Sequence, residues 1–182
     1  MADVKADGEE RRQALDLSNE AAAYLREGKP EKALPLLRRA VTLQPDDGNI
    51  LLNLGGAYVL LGQFDEAVPV LARAAEVAPH EAMVWCNLGV ALLRLPGKNA
   101  GEDQEKAIAA FERSLELDPT APNVAYNLGL VYRDREQWAK AVSAFQRALQ
   151  ADPKDRDACT MLQRTEDCLA NERRRGDGGD SA

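Results

Sequence analysis

The sequence predicts an all-α chain of antiparallel helix pairs stacked in a line, and three observations carry that prediction. Composition is the first. Apolar residues make up 45% of the 182 and aromatics only 5%, with Ala and Leu abundant, a bias toward helices and away from β-sandwiches. An internal period is the second. Pro45, Pro79, Pro119 and Pro153 stand 34, 40 and 34 residues apart, and they close the runs LRRAVTLQP, LARAAEVAP, FERSLELDP and FQRALQADP. The third is spacing inside a period: Leu51, Leu54, Gly55 and Tyr58 fall at i, i+3, i+4 and i+7, one face of a helix.

Each element follows in chain order. Residues 1–10 are mixed-charge without an apolar run, so they read as a flexible segment and not as a secretory signal. The repeat domain spans 11–173, with copies at 14–47, 48–81, 82–121 and 122–155. The first copy carries the degenerate SNEAAAY; the others carry LNLGGAY, CNLGVAL and YNLGLVY. In the second copy Gly62 breaks the first helix, Phe64 packs the turn, and Ala67, Leu71 and Ala74 form a second stripe closed by Pro79. Gly in a helix costs about 1 kcal/mol against Ala, so Gly55, Gly89 and Gly129 in register mark close helix approach. Ala67, Ala107 and Ala141 do the same on the second helices. The third copy holds six extra residues within 96–103, read as a surface loop between its two helices. Gly97-Lys98 is not a phosphate loop, because the Gly five places before Gly-Lys and the following Ser or Thr are both missing. Residues 156–173 form a capping helix with Cys159, Leu162, Thr165 (or Glu166) and Leu169 on one side. Residues 174–182 read as a disordered tail, and Arg173, Arg174 and Arg175 as a solvated helix end.

Trp85, Leu88, Gly89, Ala107, Phe111 and Pro119 in one copy, and Leu128, Gly129, Tyr132, Trp138, Ala141, Phe145, Ala148 and Pro153 in the next, make the chain resemble the tetratricopeptide repeat family. The resemblance implies a right-handed α-α superhelical solenoid. Departures are Glu20-Ala21 for Leu-Gly, Leu92 for Tyr, and Ser114 for Ala.

Catalytic chemistry finds few candidates. His80 is the one histidine, at a helix boundary, so neither a His-based metal site nor a Ser-His-Asp triad is expected. Cys86, Cys159 and Cys168 have no metal-ligand spacing and read as free buried thiols of a reducing, cytoplasmic compartment. A net charge of −7 and a pI near 4.9 argue against nucleic acid. No run of 18 apolar residues supports membrane insertion. No enzyme activity, cofactor or metal is expected.

Recognition of a protein or peptide remains. Asn19, Asn53, Asn87 and Asn127 share one repeat place, and each carboxamide offers a donor and an acceptor, as a peptide unit requires. The resemblance implies that this place faces a concave groove, where some family members hold extended peptides by an asparagine ladder. The alternative is a hydrogen bond within the scaffold. Three residues on come Ala22, Gly56, Val90 and Leu130. One residue before come Ser18, Leu52, Cys86 and Tyr126, of which Leu52 and Tyr126 join the candidate site. Seven residues on, Arg26 and Arg94 are isolated cations beside Leu60 and Asp134. Family members that bind acidic chaperone tails use a Lys and an Asn where this chain has Ser18 and Ala22, and a Lys and an Arg where it has Met83 and Asn87, so the cations are missing. An apolar or amphipathic segment is therefore the expected partner. The leading function is a non-enzymatic adaptor or assembly factor. A client-specific, secretion-type chaperone and a self-associating scaffold are the alternatives.

Overall fold

The computed structural model describes residues 2–95, 100–121 and 123–177, with side chains at 8–95, 101–121 and 123–174. Among these residues there are nine helices and no strand: α1 (Ala2–Arg26), α2 (Pro30–Leu43), α3 (Gly48–Leu60), α4 (Phe64–Val77), α5 (Ala82–Arg94), α6 (Ala100–Leu117), α7 (Val124–Asp134), α8 (Trp138–Ala151) and α9 (Arg156–Asp177). The chain is an all-α helical repeat solenoid, as expected. It divides into two compact units, Met1–Ala110 and Phe111–Ala182, and the division falls inside α6. In the first unit α1 packs on α2 and α3, α3 also on α2, α4 and α5, and α4 on α5. In the second, α7 packs on α8 and α8 on α9.

Local chemistry sets the helix ends. Asp47 accepts hydrogen bonds from the Asn49 and Ile50 amides at 2.9 and 3.1 Å, capping α3. Asp155 does the same for Asp157 and Ala158 at α9, at 2.9 and 3.0 Å. The turns inside copies one and two close on Gly28 (φ +68°) and Gly62 (φ +70°), left-handed positions that glycine occupies without steric cost. Copy four has Glu136 at the same place, at φ 56°, which stores roughly 1 kcal/mol of strain.

Small residues admit the second helices as the repeat pattern requires. A Cβ on Gly55 would stand 2.4 Å from Leu71 Cδ2, and one on Gly129 would stand 2.6 Å from Phe145 Cε1. Ala67, Ala107 and Ala141 have no exposed surface, and Ser114, the departure from Ala, is fully buried too.

Several boundaries differ from expectation. α1 begins at Ala2, so the boundary expected at residue 11 coincides with no helix end. Part of the insertion is helical: residues 100–103 form the first turn of α6, which has 18 residues where α2, α4 and α8 have 14 each. Residues 96–99 lie outside the described residues. α9 continues past 173 to Asp177, and 178–182 lie outside the described residues. Its buried face also shifts by one place. Ala158 and Thr165 are buried and Met161, Leu162 and Leu169 half-buried, whereas Cys159 is exposed. Of the three thiols expected to be buried, only Cys86 is; Cys159 and Cys168 are exposed and free. Burial pushes the Cys86 thiol up from its ordinary pKa.

Tyr58 and Tyr132 occupy one repeat place and meet opposite charges. Arg38 Nε donates to Tyr58 Oη at 3.1 Å, while Tyr132 Oη donates to Glu112 Oε1 at 2.7 Å. Burial, then the Glu112 bond, pushes the Tyr132 phenol above its usual value. A raised folded-state value keeps its contribution below the unfolded value near 10 and loses it as pH rises through the folded one. The melting temperature of the wild type should therefore fall more steeply between pH 9 and 11 than that of Tyr132→Phe. Parallel melting curves would contradict this.

Candidate peptide-binding surface

α1, α3 and α5 are the first helices of the first three copies, and α3 packs on both of the others. On each, four places recur along one face: the asparagine, the residues three and seven after it, and the residue four before it. The asparagine row is Asn19, exposed, then Asn53 and Asn87, both half-buried. The next row, Ala22, Gly56 and Val90, is half-buried throughout and forms a floor of small side chains. One margin is Arg26, Leu60 and Arg94, all exposed. The other is Leu15, Asn49 and Met83, also exposed.

The margins carry an apolar signal. Leu15, Leu60 and Met83, exposed by 42%, 61% and 44%, are the large hydrophobic side chains left in solvent among the described residues. All three lie on this one face. Leu15 and Met83 were missed as site residues in the sequence, although their place four before each asparagine would have found them.

The asparagines reach toward the preceding copy. Asn53 Nδ2 donates to Ser18 Oγ on α1 at 3.3 Å. Asn87 Nδ2 lies 3.5 Å from where a Cβ on Gly56 would stand, ordinary contact range, which places that carboxamide beside α3. Asn53 thus uses one N–H in a scaffold bond, and a carboxamide has a carbonyl and a second N–H besides. The place before each asparagine turns inward: Ser18 and Cys86 are buried, Leu52 and Tyr126 half-buried.

In the second unit α7 carries the same face on its own. Asn127 and Leu130 are half-buried and Asp134 is exposed, ion-paired to Arg133 at 2.7 Å. The Tyr126 ring packs against Phe145 with centroids 5.7 Å apart. A groove of about 620 Å³ lies over α6, α7 and α8. Along it Lys140 Nζ sits 5.3 Å from the Tyr132 ring centroid, and Arg147 Nη2 donates to the Leu115 carbonyl at 2.9 Å. Nothing in the sequence singled this groove out. No group of three metal-ligating side chains occurs among the described residues. None of the described helices is long and apolar enough to cross a membrane.

Stacked helix pairs presenting a face of exposed apolar groups and carboxamides define a helical-repeat interaction module. Family profiles described as tetratricopeptide repeat match residues 24–88, 57–122 and 100–156. The chain belongs to the tetratricopeptide repeat family. Among solved structures it is similar to a MamA protein, at 21% identity and a TM-score of 0.75, over 90% of this chain and 84% of that one. A MamA fragment from Desulfovibrio magneticus RS-1 shares 23% identity at a TM-score of 0.68, over 93% and 98%. YrrB, described as a TPR protein with an unusual peptide-binding site, shares 21% identity at 0.71, over 94% and 85%. At such identities the likeness is one of fold. A search of curated protein sequences yields no match.

Proposed function

We propose that the chain is a non-enzymatic adaptor that grips a partner's peptide segment on the face formed by α1, α3 and α5. The observation that supports this reading is the convergence of Leu15, Leu60 and Met83 with Asn53 and Asn87 on one surface. Scattered exposed apolar residues need no explanation, but here all three stand on the two margins of one face, which supports an interaction site. The half-buried carboxamides supply backbone hydrogen bonds, and the apolar margins supply side-chain contacts. The exposed free thiols of Cys159 and Cys168 fit a reducing, cytoplasmic setting.

The test is selection of a phage-displayed random dodecamer library on the full-length protein. Peptides selected on the wild type should bind the Leu60→Glu, Met83→Glu double variant more than tenfold less tightly, since burying a charge against apolar peptide groups is unfavourable. Arg39→Glu, an exposed change on α2, should leave binding unaltered. Equal affinity for wild type and the Leu60, Met83 variant, with helicity intact, would end this reading. Selection of apolar peptides without common spacing would favour the client-shielding chaperone instead.

A further inference from the structure

We infer that the margin formed by Arg26, Leu60 and Arg94 selects an extended partner segment carrying acidic, apolar and acidic residues at i, i+3 and i+6. The inference rests on the peptide-binding reading of the same face and specifies the chemistry of its occupant.

The three residues hold one repeat place on α1, α3 and α5, and α3 packs on both neighbours. Packed helices stand about 8–10 Å apart, so the margin offers a cation, an apolar group and a cation at that interval. A polyproline II segment has three residues per turn and a rise of about 3.1 Å, which puts every third side chain on one side about 9 Å apart. That period matches the margin, whereas the side chains of a β-strand alternate with a period of two. An α-helical segment lying across the three helices would show no residue interval of three at this spacing, because its rise is only about 1.5 Å.

Charge points the same way. Arg26 and Arg94 are exposed and take part in none of the ion pairs among the described residues. Glu27, the acid next to Arg26, is held instead by Lys29 at 2.7 Å. Both guanidinium groups are thus available to carboxylates of a ligand. Leu60, exposed by 61%, stands between them and takes the apolar residue. The three places of the opposite margin, Leu15, Asn49 and Met83, are themselves uncharged.

The experiment uses two labelled peptides with the full-length protein, read by fluorescence anisotropy. Glu-Ala-Pro-Leu-Ala-Pro-Glu should bind about tenfold more tightly than Lys-Ala-Pro-Leu-Ala-Pro-Lys at low salt, the sum of two exposed charge contacts. The Arg26→Glu, Arg94→Glu double variant should reverse the preference, and added salt should reduce it. Sequences selected from the random library should show acids six residues apart around an apolar residue, and basic residues there on the double variant. Library peptides that depend on Leu60 and Met83 but lack this spacing would overturn the inference and leave the peptide-binding face standing. Library peptides indifferent to Leu60 and Met83 would overturn both. A wild type that binds the two labelled peptides equally, or neither of them, would overturn the charge assignment.

Discussion

Replacing Phe145 with Ala should destabilise the protein by about 3–5 kcal/mol. Phe145 has no exposed surface. Its ring packs on Tyr126 at 5.7 Å, and its edge fills the place where Gly129 has no side chain. Truncation removes the transfer free energy of the ring and leaves a cavity between α7 and α8. The contact also makes Gly129 informative. Gly129→Ala gains about 1 kcal/mol of helix propensity, but its Cβ would stand 2.6 Å from Phe145 Cε1, and such overpacking costs roughly 1–3 kcal/mol. Alone, therefore, Gly129→Ala should destabilise. In the Phe145→Ala background the clash disappears and Gly129→Ala should stabilise by about 1 kcal/mol. Urea denaturation of the four proteins measures the coupling. Additive effects would show that the ring edge does not set the helix approach.

Ending the chain after Asp155, which removes α9, should have a comparable effect. α9 packs on α8 and covers it with Ala158, Met161, Leu162, Thr165 and Leu169, while Gln163, Arg164, Glu166 and Asp167 point to solvent. A repeat array needs such a polar outer surface at its end. Several partly buried apolar side chains at about 1–2 kcal/mol each amount to roughly 5 kcal/mol, and the bared α8 face would invite association. The melting temperature and light scattering of the truncated chain check this. An unchanged melting temperature and a monomeric product would show that α8 needs no cover.

Much of the fold was legible because a repeat states each requirement several times. Gly55 and Gly129 in register announced two close helix approaches, and the contacts with Leu71 and Phe145 are those approaches. Where repetition stops, the reading weakens. The stripe of α9 has no second copy to phase it, and a set beginning at Cys159 looked as apolar as the one beginning at Ala158. Packing on α8 takes Ala158 and leaves the thiol outside. The six extra residues of copy three fall between its two helices and were read as loop throughout, yet Glu102 and Asp103 sit well in the first turn of α6, where acids favour a helix N-terminus. At the candidate site the asparagine row was visible as a period. Its scaffold bond to Ser18 was not, because that depends on how α1 and α3 meet. The exposure of Leu15 and Met83 also escaped notice, since an apolar residue in a helical stripe normally lies inside.

The order in which the helices pack has a kinetic side. α1 touches α2 and α3, α3 reaches α5, and α7 meets α8, which meets α9. No packed pair of helices among these is separated by more than one intervening helix. Little chain entropy is lost before a contact forms, since the loops to be closed are short. Chains dominated by such local contacts fold quickly, and a nucleus can start in any helix pair and spread to its neighbours.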